Sequence, residues 1–106
     1  NYAGTFPFMP REQVTDFKHS KPCSDVWSIA ATFYNMLTGF YPRDFPKGAD
    51  PMEVVLEAKP VPVRQRNATL PSNIADVIDH ALADEANVRF QTATDFRDAL
   101  QNEVGV

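Results

Sequence analysis

The sequence has little cysteine, no cluster of basic residues and no apolar run long enough to cross a bilayer. Cys23 is the single cysteine among 106 residues, which excludes an internal disulfide and a multi-cysteine zinc site and is typical of a reducing compartment. The net charge of −4 is spread along the chain, so nothing suggests a nucleic acid or a membrane as partner, although a basic partner stays open. Residues 1–10 lack the pattern of a signal peptide, and we expect a cytoplasmic protein.

Motifs that would support catalysis by this chain are also missing. We find no glycine-rich phosphate loop, no Ser-His-acid set and no cluster of carboxylates. His19 and His80 have no second ligand at metal-binding spacing, so we expect surface imidazoles and no metal site. Residues 67–69 satisfy the glycosylation sequon, but such triplets are frequent by chance and we discount this one.

Apolar residues at helical spacing predict an all-α fold. In residues 26–37 the large apolar side chains fall on all sides of a helical wheel, which predicts a helix enclosed by the rest of the protein. Ser20 or Ser24 is expected to cap this helix, Pro22 suits its first turn, and Gly39 ends it. With 43% hydrophobic residues, the chain can form one modest core and at most one domain.

Three further helices are predicted along the rest of the chain. Asp50 and Pro51 have the pattern of an N-cap and a first helical position, in a helix that ends near Ala58. Residues 61–63 are expected to be extended and residues 64–69 to form a polar connector. Residues 71–83 form the clearest amphipathic pattern. Thr92 opens the last helix, which ends at Gly105.

Three motifs resemble the protein-kinase family, in the order in which that family has them. Residues 4–12, GTFPFMPRE, resemble the close of a kinase activation segment. Residues 24–28, SDVWS, together with residues 37–39, LTG, are similar to the two ends of the central helix of the C-terminal lobe. Arg89 is similar to the arginine that follows the penultimate helix. The resemblance covers nearly the whole chain, and residues 61–67 and 70–71 further look like bacterial Ser/Thr kinases of the eukaryotic-like type.

The resemblance implies an all-α fragment, the helical C-lobe portion of the protein-kinase-like α+β fold. Residues 1–21 would be the end of the activation segment with its connector, and residues 22–106 the late C-lobe helices. In the family the phosphate-covering glycine loop, the catalytic loop and the metal-binding Asp-Phe-Gly all precede the position of Gly4. The fragment is therefore expected to hold no catalytic residue and no cofactor, and the parent kinase to bind ATP and Mg²⁺ through its other parts.

The resemblance also implies roles in substrate positioning. Thr5 would hydrogen-bond the catalytic aspartate and help to orient the hydroxyl nucleophile. Phe6, Pro7 and Phe8 would shape the pocket for the residue after the phosphoacceptor, or simply anchor the loop. Asp25 would accept backbone N–H bonds from the catalytic loop, or serve as an acid favoured at a helix N-terminus.

Two further positions have structural roles in the family. Glu12 and Arg89 would form the ion pair that ties the activation segment to the late helices, or else be two solvated charges. Trp27 belongs to the central-helix motif. The chain departs from the family at residues 10–12, where PRE replaces Ala-Pro-Glu, and at residues 85–86, where EA replaces Asp-Pro. These departures leave a degenerate or regulatory parent open.

Our first hypothesis is thus the scaffolding and substrate-positioning part of an ATP-dependent protein Ser/Thr kinase. Its partners would be a protein substrate and the remainder of the kinase domain. The alternatives are a non-catalytic, pseudokinase-derived helical interaction module and an unrelated helical bundle. Because earlier helices would cover residues 26–37 in a complete lobe, we expect the fragment alone to expose apolar surface and to self-associate or swap domains.

Overall fold

The computed structural model of the chain describes residues 6–15 and 21–104. These residues form helices and connecting loops, with no strand among them, so the predicted all-α class is confirmed for this part of the chain. A 3₁₀ helix at Phe6–Phe8 precedes six α-helices. They are α1 (Arg11–Thr15), α2 (Pro22–Thr38), α3 (Pro51–Glu57), α4 (Val63–Arg66), α5 (Ser72–Ala81) and α6 (Ala93–Val104).

Helix α2 is the centre of the fold, and its boundaries follow from local sequence. Pro22 occupies the first turn, and Gly39 takes the left-handed conformation with φ of 78°, its N–H donating to the Asn35 carbonyl. A residue with a side chain would be strained there. The predicted serine cap is wrong, because Lys21 is the N-cap and makes no side-chain capping bond. Ser24 is turned toward Glu12 instead, at 2.8 Å.

The core lies between one side of α2 and the helices α5 and α6. Trp27 and Tyr34 of α2 are fully buried, as are Ile78 of α5 and Phe96 of α6. The Trp27 indole N–H donates to the Leu82 carbonyl at 3.1 Å, which satisfies the one polar group that this large side chain brings into the core.

The predicted connector at residues 64–69 is wrong over its first half, which forms α4, and the predicted extended segment at residues 61–63 is wrong at Val63, where that helix begins. Val63 is fully buried, and its backbone N–H donates to the Asp79 carboxylate of α5 at 2.9 Å. A carboxylate from another helix thus satisfies an N–H group that a short helix leaves free. Burial raises the pKa of the Asp79 carboxyl, although the Val63 N–H partly offsets that effect.

Candidate functional site

Glu12 of α1 and Arg89, in the loop before α6, form a bidentate ion pair. Arg89 Nη1 lies 2.6 Å from Glu12 Oε2, and Nη2 lies 3.1 Å from Oε1, across 77 positions of sequence. The Arg89 side chain is completely buried, whereas that of Glu12 is 25% exposed. The structure therefore joins the two residues that the resemblance paired, and it excludes the alternative of two solvated charges.

Each of the five N–H groups of the Arg89 guanidinium has an acceptor. Besides Glu12, the acceptors are backbone carbonyls: Cys23 at 2.9 Å, Ala83 at 2.9 Å and Asp84 at 3.2 Å. A buried guanidinium is tolerated only when its donors and its charge are satisfied in this way. Arg89 thus binds α1, the start of α2 and the end of α5 to one another.

The Glu12 carboxylate is held in its charged form. Burial alone would raise its pKa, but hydrogen bonds from Arg89, from its own backbone and from Ser24, together with the charge of Arg89, hold the pKa below its ordinary value of 4.5. The Ser24 hydroxyl donates to Oε2 at 2.8 Å. Because Oε2 receives two donors, Glu12 cannot be protonated without weakening both contacts.

A second buried arginine, Arg43, was missed by the sequence analysis. Its Nη2 donates to Asp84 Oδ1 at 2.9 Å, its Nη1 to the Met9 carbonyl at 3.0 Å and its Nε to the Ala58 carbonyl at 2.9 Å. Its guanidinium also lies 4.4 Å from the centre of the Trp27 ring, a cation–π distance. No local pattern in the sequence marks Arg43, because all of these partners lie at least 15 positions away and are reached only through the fold.

Asp84 joins Arg43 to Arg11. Arg11 Nη2 lies 3.0 Å from Asp84 Oδ2, so the carboxylate is shared by two guanidinium groups. Arg11 stands at the position where the Ala-Pro-Glu pattern of protein kinases has its proline. Its side chain therefore has a structural use here, because it ties α1 to the end of α5 beside the Glu12–Arg89 pair.

The first residues of the described chain form one wall of an aromatic groove. The groove has a volume of about 410 Å³. It is lined by four aromatic side chains, two prolines and two charged residues: Phe6, Phe40, Tyr41 and Phe45, Pro7 and Pro51, and Arg43 and Asp44.

Phe8 has a different position from its two neighbours. Its ring packs edge-on against Tyr41, with centroids 5.6 Å apart, and against the core. Its carbonyl accepts from the Ser28 hydroxyl at 2.7 Å. Of the four predicted positioning residues, Phe6 and Pro7 therefore line the groove, whereas Phe8 anchors the segment to α2. Thr5 lies outside the described residues.

Asp25 lies on the exposed side of α2. This side carries a stripe of residues spaced by three or four positions, which we call the open stripe: Asp25, Ile29, Phe33 and Met36. Ile29 and Phe33 are each 37% exposed and Met36 is 73% exposed. In the described residues α2 is therefore not enclosed on this side, and the open stripe is the exposed apolar surface that we expected of the fragment alone. Because Asp25 is exposed, its charge needs no buried partner.

Several other candidate residues have ordinary surroundings. His80 is exposed, with Nε2 at 2.7 Å from the Val88 carbonyl and its ring 4.4 Å from that of Phe90; His19 falls outside the described residues. Asn67 donates to the Leu37 carbonyl at 3.0 Å.

Within residues 6–15 and 21–104, no group of three or more His, Cys, Asp or Glu residues is arranged to hold a metal ion. Nor does any helix of these ranges have the length and apolar character needed to span a membrane.

No protein-family model matches the sequence, and no curated protein matches it either. The resemblance to protein kinases therefore rests on the motifs in the sequence.

Proposed function

We propose that the chain is the later part of the C-terminal lobe of an ATP-dependent protein Ser/Thr kinase, the part that holds the activation segment and positions the protein substrate. The observation that carries this proposal is the Glu12–Arg89 pair. The kinase motifs imply that these two residues meet, although nothing in the local sequence around either one indicates it. A buried bidentate ion pair requires specific geometry, and it joins two residues that are 77 positions apart. The contact therefore supports the expectation more strongly than a surface contact would.

The open stripe gives a second, independent support. A row of apolar side chains on the central helix is partly uncovered in the described chain, although Phe33 also packs against Phe96 of α6, and a carboxylate lies at the N-terminal end of the row. The resemblance assigns this face to the preceding part of the lobe, whose catalytic loop would donate backbone N–H groups to Asp25. A face with three large apolar residues and one acceptor is suited to such a covering segment.

The aromatic groove is the candidate binding site for the protein substrate. Phe6 and Pro7 line it, and they belong to the segment that shapes the pocket for the residue after the phosphoacceptor. The groove is formed jointly with the loop that follows α2. In the proposed kinase, ATP and Mg²⁺ would be bound by the preceding part of the domain, and this chain would contribute substrate binding and the stability of the activation segment.

The complete open reading frame that contains Asn1 provides the test. We expect a catalytic-loop aspartate and a metal-binding Asp-Phe-Gly upstream of Gly4, and phosphoryl transfer from ATP to serine or threonine by the complete protein. Changing the catalytic-loop aspartate to asparagine should abolish that transfer and serves as the control. The 106-residue chain alone should bind no ATP·Mg²⁺ in a calorimetric titration.

Two outcomes would contradict the proposal in different ways. An upstream kinase domain that has lost both aspartates, with no transfer by the complete protein, would favour the non-catalytic interaction module. An upstream sequence with no kinase motif would favour the unrelated helical bundle.

A further inference from the structure

Arg66 of α4 reaches across to the wall of the aromatic groove. Its Nη2 lies 2.8 Å from Asp44 Oδ1, and its guanidinium carbon lies 4.8 Å from the centre of the Phe40 ring. Its Nε donates to the Tyr34 hydroxyl at 3.3 Å, and Tyr34 is fully buried in α2. Arg66 thus ties two groove residues, Phe40 and Asp44, to the central helix.

Both charged residues of the groove are paired with an opposite charge of the same chain, Arg43 in a buried contact and Asp44 in a contact at the surface, where its side chain is 65% exposed. Arg43 is paired with Asp84 at 2.9 Å, and Asp44 is paired with Arg66. A charged side chain that entered the groove would lose water without gaining an opposite charge, which is unfavourable. An apolar side chain would instead bury aromatic surface, which is favourable.

We propose that Arg66 is a positioning residue that determines specificity: by holding Phe40 and neutralising Asp44, it selects a bulky apolar residue of the substrate over a charged one. The inference rests on the proposed function, because it takes the occupant of the groove to be the substrate residue after the phosphoacceptor. Without Arg66, the Asp44 carboxylate would lose its partner and would attract a basic side chain. Without the Asp44 charge, Arg66 would attract an acidic one.

The test measures binding of three blocked peptides to the 106-residue chain. They have the sequence Ala-Ala-Ser-Xaa-Ala-Ala, with leucine, lysine or glutamate at Xaa. Titrations are followed by the ¹H–¹⁵N signal of Gly39, which lines the groove, with Gly48, which does not, as the internal reference. We expect the unaltered chain to bind the leucine peptide roughly tenfold more tightly than either charged peptide, a difference of about 1.4 kcal/mol.

Two single variants should change this order in opposite directions. Arg66→Met should make the lysine peptide bind at least as tightly as the leucine peptide. Asp44→Asn should do the same for the glutamate peptide. The double variant Asp44→Asn/Arg66→Met should return to the preference for leucine, because neither charge remains. Arg64→Met removes an exposed arginine of the same helix that donates to the Ala68 carbonyl and not to Asp44, and it should leave the order unchanged.

Three results would overturn the inference: no preference for leucine in the unaltered chain, the same order in all variants, or a double variant that still prefers lysine. Asp44→Asn keeps Arg66 on Tyr34 and Phe40, so it remains a valid test if Arg66→Met fails to fold. Peptide selection needs no phosphoryl transfer. The peptide test can therefore contradict the role of Arg66 even if the complete protein is an active kinase. It can also confirm the binding preference even if the complete protein transfers no phosphoryl group.

Discussion

The two sides of α2 differ in burial: the side chains of one side are buried with their polar groups hydrogen-bonded, whereas apolar side chains of the other side are exposed to solvent. On the closed side, Trp27 and Tyr34 are fully buried and each has a hydrogen-bond partner, the carbonyls of Leu82 and Val61. On the open stripe, Ile29 and Met36 are as apolar as the core but face solvent. Within one helix, therefore, the closed side accounts for stability, whereas the open stripe is surface suited to contact with another part of a protein.

The largest effect should come from Arg89, which joins the closed side to α1. Arg89→Ala leaves Glu12 without its counter-charge and removes the donors to three backbone carbonyls, of which that of Cys23 is buried and those of Ala83 and Asp84 are part-buried. We expect a loss of about 3–5 kcal/mol in the free energy of unfolding, measured by urea denaturation. The matched control is Arg97→Ala, which removes an exposed pair, 65% and 54% exposed, and should have no measurable effect. An unchanged thermal midpoint for Arg89→Ala would contradict the structural role of the pair.

The open stripe should govern self-association. We expect the 106-residue chain to form dimers or swapped assemblies through this face, and Met36→Glu to weaken them at least about tenfold. Met52→Glu is the control, because Met52 is also exposed, at 48%, but lies on α3. Light scattering over a range of concentrations measures the difference. A monodisperse, natively folded monomer at all concentrations would show that the two sides of α2 do not differ in this way.

The smallest effect should be a dependence of stability on pH that arises from Glu12 of α1, which Arg89 joins to the closed side. The pKa of Glu12 is lower in the folded chain than its ordinary value of 4.5. Its contribution to stability is therefore complete above that value and is lost as the pH falls through the folded-state pKa. We expect Glu12→Gln to flatten the decline of the unfolding free energy below pH 4.5, measured in urea. Parallel curves for both proteins would contradict this assignment.

Local patterns predicted most of the helices and their ends. Gly39 ends α2, and the Asp50 carboxylate accepts from the Met52 N–H at 3.0 Å to cap α3, because such signals act within a few residues. The failures involve distant partners. Val63 begins a helix that Asp79 caps from 16 positions away, and no propensity within residues 61–69 indicates it.

The residues of the candidate site also fall into two groups, those that the sequence indicated and those that only the structure revealed. Glu12 and Arg89 were named from motifs, yet Arg43, with equal burial and comparable bonding, was not. Arg43 bonds to Asp84 across 41 positions, and its neighbours in sequence resemble an ordinary surface loop. The energy of such a contact depends on desolvation and geometry, which a sequence pattern does not record.

The sequence by itself determined the helical class and most of the extent of α2, because helical periodicity and caps are local properties of the chain. The Glu12–Arg89 pairing was expected only from the resemblance to protein kinases, since 77 positions separate the two residues. Only the tertiary structure decided which side of α2 is buried, where Arg43 and Arg66 are bound, and that Phe6 and Pro7 line a groove while Phe8 does not. The physical reason is that α2 is apolar on all sides. Its own pattern cannot choose a face, and the choice is made by the helices that pack against it.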